Sequence, residues 1–129
     1  MSALRRARPV RTRQGRRVSW AAVRRLALAL PGVEETTSYG TAAFKVRGKF
    51  LTRLKEDGES LVLKVGSIDE RDFLLKANPA VFFITEHYRD YPALLVRLAA
   101  ARPALLAQLL EESWRRAAPR KLVAAFDAS

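Results

Sequence analysis

Cationic side chains recur through the segment from residue 38 to 54, which reads SYGTAAFKVRGKFLTRL. Its cations are Lys45, Arg47, Lys49 and Arg53, and they lie in two strand-like runs that meet at a glycine. Ammonium and guanidinium groups form charge-assisted hydrogen bonds to phosphates and other anions. The pattern therefore indicates an anion-binding surface, although exposed lysine and arginine are also an ordinary way to keep a sheet soluble.

The chain contains few residues that could catalyse a reaction or bind a metal ion. The single histidine, His87, lies near Glu86 and Asp90, so that a carboxylate could orient it as a general base. Glu34 and Glu35 alone make a poor site for a hard metal ion. The sequence has no cysteine and no glycine-rich phosphate loop. We therefore predict a protein that is not an enzyme and that needs no metal and no cofactor.

The net charge of +11 is concentrated at the start of the chain. Residues 1–17 contain seven arginines and no acid, whereas residues 18–129 carry 17 basic and 13 acidic side chains, a net charge of +4. The segment has too little apolar content to fold, so we predict a disordered arm whose Arg13, Arg16 and Arg17 contact phosphates. A passive tail, a mis-assigned translation start and a transit peptide are the alternatives.

No apolar run is long enough to cross a membrane, and no secretory signal precedes the domain. Together with the absence of cysteine, this predicts a cytoplasmic protein without a membrane partner. Residues 18–129 are long enough for one domain, and their apolar content suffices for a core.

Apolar periodicity and turn residues predict the elements that carry these side chains. A helix begins after Ser19 and ends at Pro31-Gly32, and a polar loop, VEETTSYGT, follows. Strands are predicted over 43–47, 50–56 and 60–66, with a type II′ turn at Gly48-Lys49 and a hairpin turn at Asp57-Gly58. A short helix from Asp69, strands over 81–88 and 93–100, and helices from Pro103 and Pro119 complete the chain.

This order predicts an α+β fold, with an antiparallel sheet of about five strands and the terminal helices packed on one face. Strand alternation places a common set of cations on the opposite face: Lys45, Arg47, Arg53, Lys55 and Lys64, with Arg97 as a further member. The same alternation places Phe44 and Phe50 in the core. Because that leaves no aromatic platform among the cations, phosphate contact is predicted rather than base stacking.

Two long segments, LALALPGVEETTSYGTAAFKVRGKFLTRL and EESWRRAAPRKLVAAF, resemble the MmcQ/YjbR family of small bacterial proteins. The matching positions are Pro31, Gly32, Tyr39, Gly40, Phe44, Lys45, Gly48, Lys49, Trp114 and Pro119. The resemblance implies a frataxin-like (CyaY-like) fold of the double-wing type and a DNA-binding role, but no catalytic residues. The Arg-rich arm lies outside the resemblance, and the first helix lacks the acidic residues with which frataxins present iron.

We therefore predict a nucleic-acid-binding protein in which Lys45, Arg47, Lys49, Arg53, Lys55 and Lys64 act with the three arginines of the arm. The alternative is a small-ligand or protein-interaction module whose basic face is only solvated. One continuous patch of cations would favour nucleic-acid binding, whereas cations paired with acids would favour the alternative.

Overall fold

The computed structural model describes residues 18–129. The predicted arm, with Arg13, Arg16 and Arg17, lies outside the described residues. The helices are α1 (Trp20–Leu28), α2 (Ile68–Ala77), α3 (Pro103–Ala117) and α4 (Arg120–Ala128). The strands are β1 (Val33–Ser38), β2 (Thr41–Val46), β3 (Lys49–Leu54), β4 (Ser60–Lys64), β5 (Phe82–Phe83) and β6 (Ala93–Arg97). A 3-10 helix spans Glu86–Tyr88.

The strands form one sheet in the order β1-β2-β3-β4-β6-β5, and every neighbouring pair is antiparallel. The predicted α+β architecture is therefore confirmed, with six strands instead of about five. The additional strand is β1, which lies in the segment predicted as a polar loop. β1 is an edge strand with mostly exposed side chains, so its sequence lacks the apolar alternation that identifies a half-buried strand.

Two tight turns join the first three strands. Tyr39-Gly40 connects β1 to β2, and Arg47-Gly48 connects β2 to β3, with positive φ at all four residues. Positive φ at both central positions defines a type I′ turn, which matches the twist of a two-residue hairpin. The predicted type II′ turn at Gly48-Lys49 is therefore wrong, and so is the placement of Arg47 on a strand.

A β-bulge changes the facing of the third strand. Phe44 pairs with Thr52, but the next residue, Lys45, pairs with Phe50, so Leu51 has no partner on β2. An unpaired extra residue interrupts the alternation of side chains along its strand. Leu51 is buried in the hydrophobic core, and Phe50 lies on the opposite face beside Lys45. The prediction that Phe50 belongs to the core is wrong.

The segment after β5 leaves the sheet early. The prediction of a strand over residues 81–88 holds only for Phe82 and Phe83, after which the chain forms the 3-10 helix. The Arg71 side chain of α2 is only 5% exposed, and its Nη1 donates to the carbonyls of Tyr88, Arg89 and Tyr91 at 2.8–3.0 Å. These bonds hold the segment in a compact loop, which a strand-forming sequence does not indicate.

The core lies between the sheet and the helices α1, α3 and α4. Trp114 of α3 is fully buried, its Nε1 donates to the carbonyl of Pro31 at 2.8 Å, and its ring packs edge-on against Phe126 of α4. Trp114 thus packs α3 against α4 and against the segment that follows α1. Gly32 lies in the same region with a φ of +75°, and a Cβ there would lie 2.7 Å from the Leu122 side chain. Both constraints favour glycine at this position.

The predicted N-cap is also confirmed, because the Ala22 backbone N–H donates to the Ser19 hydroxyl at 3.1 Å. None of the helices in residues 18–129 is long and apolar enough to cross a membrane.

Candidate functional site

The sheet face opposite the core, called here the open face, carries a mixture of cations and apolar side chains. Strand register assigns to it Ala43, Lys45, Phe50, Arg53, Val62, Lys64, Ala93, Leu95 and Arg97. Its four aliphatic members are buried but lie apart from the main core, so they form an apolar floor beneath longer side chains.

A hollow of about 630 Å³ opens on this face. Five aromatic side chains line it: Tyr39, Phe50, His87, Tyr88 and Tyr91. We call it the aromatic hollow. Three cations also line it, namely Arg53, Lys55 and Lys64, with Glu56 as the acid among the lining residues. The volume lies in the range of about 300–1,000 Å³ that is typical of ligand pockets.

Three separate elements position the aromatic rings. Tyr39 projects from the β1–β2 turn and is 83% exposed, and the bulge brings Phe50 to the open face. Tyr88 and Tyr91 belong to the loop that Arg71 holds through its backbone carbonyls. Sequence patterning identified neither the bulge nor the loop, so it missed this cluster of rings. Its one available signal was the number of tyrosines placed next to turn residues.

Arg53 lies at one end of the hollow and is only 7% exposed. Its guanidinium donates to Thr41 Oγ1 at 3.3 Å and to the Tyr88 hydroxyl at 3.3 Å, and it lies 5.1 Å from the centre of the Tyr39 ring. It also forms a 3.4 Å ion pair with Glu56. Arg53 therefore connects the walls of the hollow, and most of its donors are already in use.

One acid offsets part of the positive charge at the Arg53 end. The Glu56 carboxylate accepts a hydrogen bond from its own backbone N–H and lies near Arg53 and Lys55, and together these lower its pKa. Lys55 Nζ is 3.8 Å from Glu56 Oε1. The predicted cations Arg53 and Lys55 are therefore paired with an acid in the structure.

The other end of the open face carries cations without an acidic partner. Among residues 18–129, neither Lys45 nor Lys64 belongs to an ion pair, and Lys64 Nζ lies 5.6 Å from the centre of the Phe50 ring. Glu34 of β1 pairs in register with Lys45, so one acid does lie on this face. The sequence prediction missed Glu34 because it treated β1 as a loop.

The remaining predicted cations do not join the cluster of cations on the open face. Lys49 pairs with Val46 and is exposed at the rim, on the helix side of the sheet. Arg47 lies in its turn, and Arg97 stacks on the Phe83 ring at 4.2 Å. The structure thus brings Lys45, Arg53, Lys55 and Lys64 to one face and leaves Arg47 and Lys49 at its edge.

His87 is exposed and packs edge-on against Tyr88, with 4.7 Å between ring centres. In the described part of the chain, no three histidine, cysteine, aspartate or glutamate residues are grouped closely enough to hold a metal ion.

The YjbR family model matches residues 28–116, from the end of α1 to the end of α3. The chain belongs to the YjbR family. The match contains all the elements that line the aromatic hollow, whereas α4 lies beyond it. Family membership therefore accounts for the sheet that carries the site, but it assigns no role to the residues of the hollow.

Named relatives of this YjbR protein include the uncharacterized proteins Rv2570 of Mycobacterium tuberculosis and Mb2600 of Mycobacterium bovis. Each is 38% identical over 69 residues, which is 54% of this chain and 54% of the relative. The chain thus spans about half the length of the curated relatives it matches. The crystal structure of Deinococcus radiodurans protein DR2400, a DUF419 domain, aligns with a TM-score of 0.63 and 24% identity, covering 74% of this chain and 75% of that one. It shows the same fold.

Proposed function

We propose that this YjbR domain binds single-stranded nucleic acid on its open face, without catalysing a reaction. Bases stack in the aromatic hollow, and phosphates lie against the unpaired cations beside it. The observation that carries the proposal is the position of Phe50, which the bulge places on the open face next to Lys64. Aromatic rings interleaved with cations are the usual equipment of single-strand binders.

The shape of the site favours a single strand over a duplex. Five aromatic side chains line the concave hollow, so an occupant with a flat, accessible surface can pack against them. A base in a duplex is stacked on both sides, whereas a base in a single strand has accessible faces. Phosphate contact alone, as the sequence predicted, would leave the five aromatic side chains of the hollow without a role.

The distribution of charge supports an anionic occupant. Lys45 and Lys64 have no ion-pair partner among residues 18–129, and the described part of the chain has a net charge of +4. A strand bound here would displace counterions, so its affinity should fall as salt is added, by about 0.7 logarithmic units per phosphate contact for each tenfold change in salt.

The test is fluorescence anisotropy of a labelled single-stranded oligonucleotide and of the matching duplex, with the full chain, at several salt concentrations. Tyr91→Ala removes a ring that is 57% exposed, so the fold should tolerate it. We expect the wild type to prefer the single strand and Tyr91→Ala to weaken that binding by about 5- to 100-fold, the value of one base–aromatic stack.

Phe73→Ala is the matched control, since Phe73 of α2 is 69% exposed and does not line the hollow. It should leave the affinity unchanged. An equal loss of affinity in Tyr91→Ala and Phe73→Ala would contradict stacking in the hollow. So would tighter binding of the duplex than of the single strand, if Tyr91→Ala leaves the duplex affinity unchanged.

A small anionic ligand with an aromatic ring is the second candidate, because the hollow has the size of a small-molecule pocket. In that case a free mononucleotide would compete with the labelled oligonucleotide at about equal concentration. If an oligonucleotide binds much more tightly than the mononucleotide, the result would support single-strand binding over a small-ligand site.

A further inference from the structure

We infer that a second cleft beside the aromatic hollow binds the phosphate of the nucleotide whose base stacks in the hollow, so that the ligand must carry a phosphate on the sugar of that base. The inference rests on the proposed function. The cleft has a volume of about 380 Å³ and lies where the ends of β3 and β4 meet the last turn of α3. Phe50 and Lys64 line both the cleft and the hollow, so the two are adjacent and meet at these side chains.

Three cations surround the cleft from three elements: Lys49 of β3, Lys64 of β4 and Arg116 of α3. No carboxylate lines it. None of the three cations belongs to an ion pair within residues 18–129. Like charges brought together in this way repel, and an anion bound among them removes that repulsion. The chemistry therefore fits a phosphate group, which is negatively charged and offers several acceptor oxygens.

Arg116 is held in place before any ligand arrives. Its Nη2 donates to the carbonyl of Lys64 at 3.1 Å and contacts the Ser113 hydroxyl at 3.4 Å, while Ser113 Oγ donates to the same carbonyl at 2.7 Å. A guanidinium fixed by one nitrogen can offer its other donors to a phosphate with little further loss of side-chain entropy.

One acid, Glu70 of α2, borders the cleft region. Glu70 Oε1 accepts a hydrogen bond from the backbone N–H of Gly66 at 3.1 Å. A Cβ at Gly66 would lie 2.7 Å from Glu70 Oε1 and 3.8 Å from Arg116 Nη1, so the two side chains lie close together although they form no ion pair. Glu70 therefore offsets part of the positive charge of Arg116 and leaves its guanidinium without a direct carboxylate partner.

The first experiment uses inorganic phosphate as the probe and does not depend on nucleic acid. Phosphate is titrated into the ¹⁵N-labelled full chain while backbone amide shifts are recorded. We expect saturable shifts at Lys49, Lys64, Ser113 and Arg116, and at least a tenfold weaker response in Arg116→Gln, in which an amide NH2 donor remains but the charge is lost. Arg116→Lys should restore part of the response.

Arg102→Gln is the matched control. Arg102 is exposed at the other end of α3, about 20 Å away at 1.5 Å per residue. The Arg102→Gln variant loses the same charge as Arg116→Gln, and its phosphate-induced shifts should equal those of the wild type. Shifts that never saturate, or that weaken equally in the Arg102 and Arg116 variants, would overturn the inference.

The second experiment separates this inference from the proposed function. We expect Arg116→Gln to weaken oligonucleotide binding and to reduce the slope of log affinity against log salt concentration by about 0.7. Tyr91→Ala should weaken the binding and leave that slope unchanged. If Tyr91→Ala acts and Arg116→Gln does not, the strand binds but its phosphate lies elsewhere, so the inference alone fails. If phosphate causes saturable shifts in the cleft but no oligonucleotide binds, the proposed function fails. The inference that the cleft holds the phosphate of a nucleotide then fails with it.

Discussion

Tyr39 combines an unfavourable backbone conformation with a highly exposed ring. Its φ is +53° in the first central position of a type I′ turn, where asparagine and glycine are preferred. A side chain with a Cβ has a penalty of about 1–2 kcal/mol in this region. Tyrosine here lowers stability, and the structure shows what the ring contacts in return, namely the Arg53 guanidinium at the edge of the aromatic hollow.

We therefore expect Tyr39→Asn to separate stability from binding. The substitution relieves the turn but removes the contact with Arg53, worth about 0.5–1 kcal/mol, so the free energy of unfolding should stay level or rise by up to about 1 kcal/mol. Oligonucleotide affinity should fall by about 5-fold or more. Urea unfolding and anisotropy measure the two effects.

Arg47→Asn is the control, because Arg47 has the same position in the other type I′ turn, with a φ of +49°. It should raise the free energy of unfolding by about 1 kcal/mol. A Tyr39 variant that loses stability and affinity in parallel would show that the ring is only structural.

Asp57 gives the molecule an acid-sensitive turn. Partial burial alone would raise the pKa of Asp57, but its carboxylate accepts from the Glu59 N–H, the Ser60 hydroxyl and the Ser60 N–H, and the net result is a lowered pKa. A lowered pKa in the folded state means that the charged carboxylate stabilises the fold above its ordinary pKa, and that this contribution is lost as the pH falls through the folded value.

We therefore expect wild type to be more stable than Asp57→Asn at neutral pH by about 1 kcal/mol, the difference between charged and neutral acceptors. The gap should close below about pH 4, where aspartate begins to protonate. Urea unfolding of both proteins from neutral pH to below pH 4 measures this difference in stability. A difference that persists in acid would show that the charge of Asp57 is not its cause.

The bulge in β3 shows why the sequence predicted the fold better than the site. Helix caps, turn glycines and apolar runs are local signals, and they located α1, α3, α4 and the strands β2, β3, β4 and β6. A bulge, however, is a property of two strands paired together, and one extra residue reverses the facing of the side chains beyond it. Phe50 was assigned to the core for that reason.

Other errors also arise because a segment takes its structure from the element that it contacts. β1 exists because β2 pairs with its whole length, although its own side chains are mostly polar. The loop after β5 exists because a buried arginine from α2 binds its carbonyls. Each structure depends on its partner element and not on an apolar pattern of its own, so neither is visible in the local pattern of side chains.

Arg71 links α2 to the wall of the aromatic hollow, so we expect Arg71→Lys to loosen that wall. Lysine keeps the charge but cannot reach the three carbonyls that Arg71 Nη1 contacts. The free energy of unfolding should fall by about 2–4 kcal/mol, since buried acceptors lose their partners. Hydrogen exchange should accelerate first at Tyr88–Tyr91.

Arg89→Lys is the matched control, because Arg89 is exposed on the same loop and pairs with Glu86 at the surface. It should change stability by less than about 0.5 kcal/mol. Uniformly faster exchange across the sheet in the Arg71 variant would mean that Arg71 supports the whole fold and has no particular effect on the hollow.

The whole chain carries two sources of positive charge with different expected effects on binding. Residues 1–17 contribute +7 and residues 18–129 contribute +4, but the aromatic rings of the hollow belong to the second group. Charge without rings attracts phosphates regardless of sequence or strandedness. Rings with nearby charge require an accessible base. The arm is therefore expected to increase affinity, and the domain to select the single strand.

The triple variant Arg13→Gln/Arg16→Gln/Arg17→Gln in the full chain tests this division. If each arginine contacts one phosphate, the salt slope for a single strand should fall by up to about 2, because each contact contributes about 0.7. The ratio of single-strand to duplex affinity should stay constant, since the hollow is untouched, whereas Tyr91→Ala should reduce that ratio at an unchanged slope. A triple variant that abolishes the preference for the single strand would place selectivity in the arm and leave the open face a solvated surface.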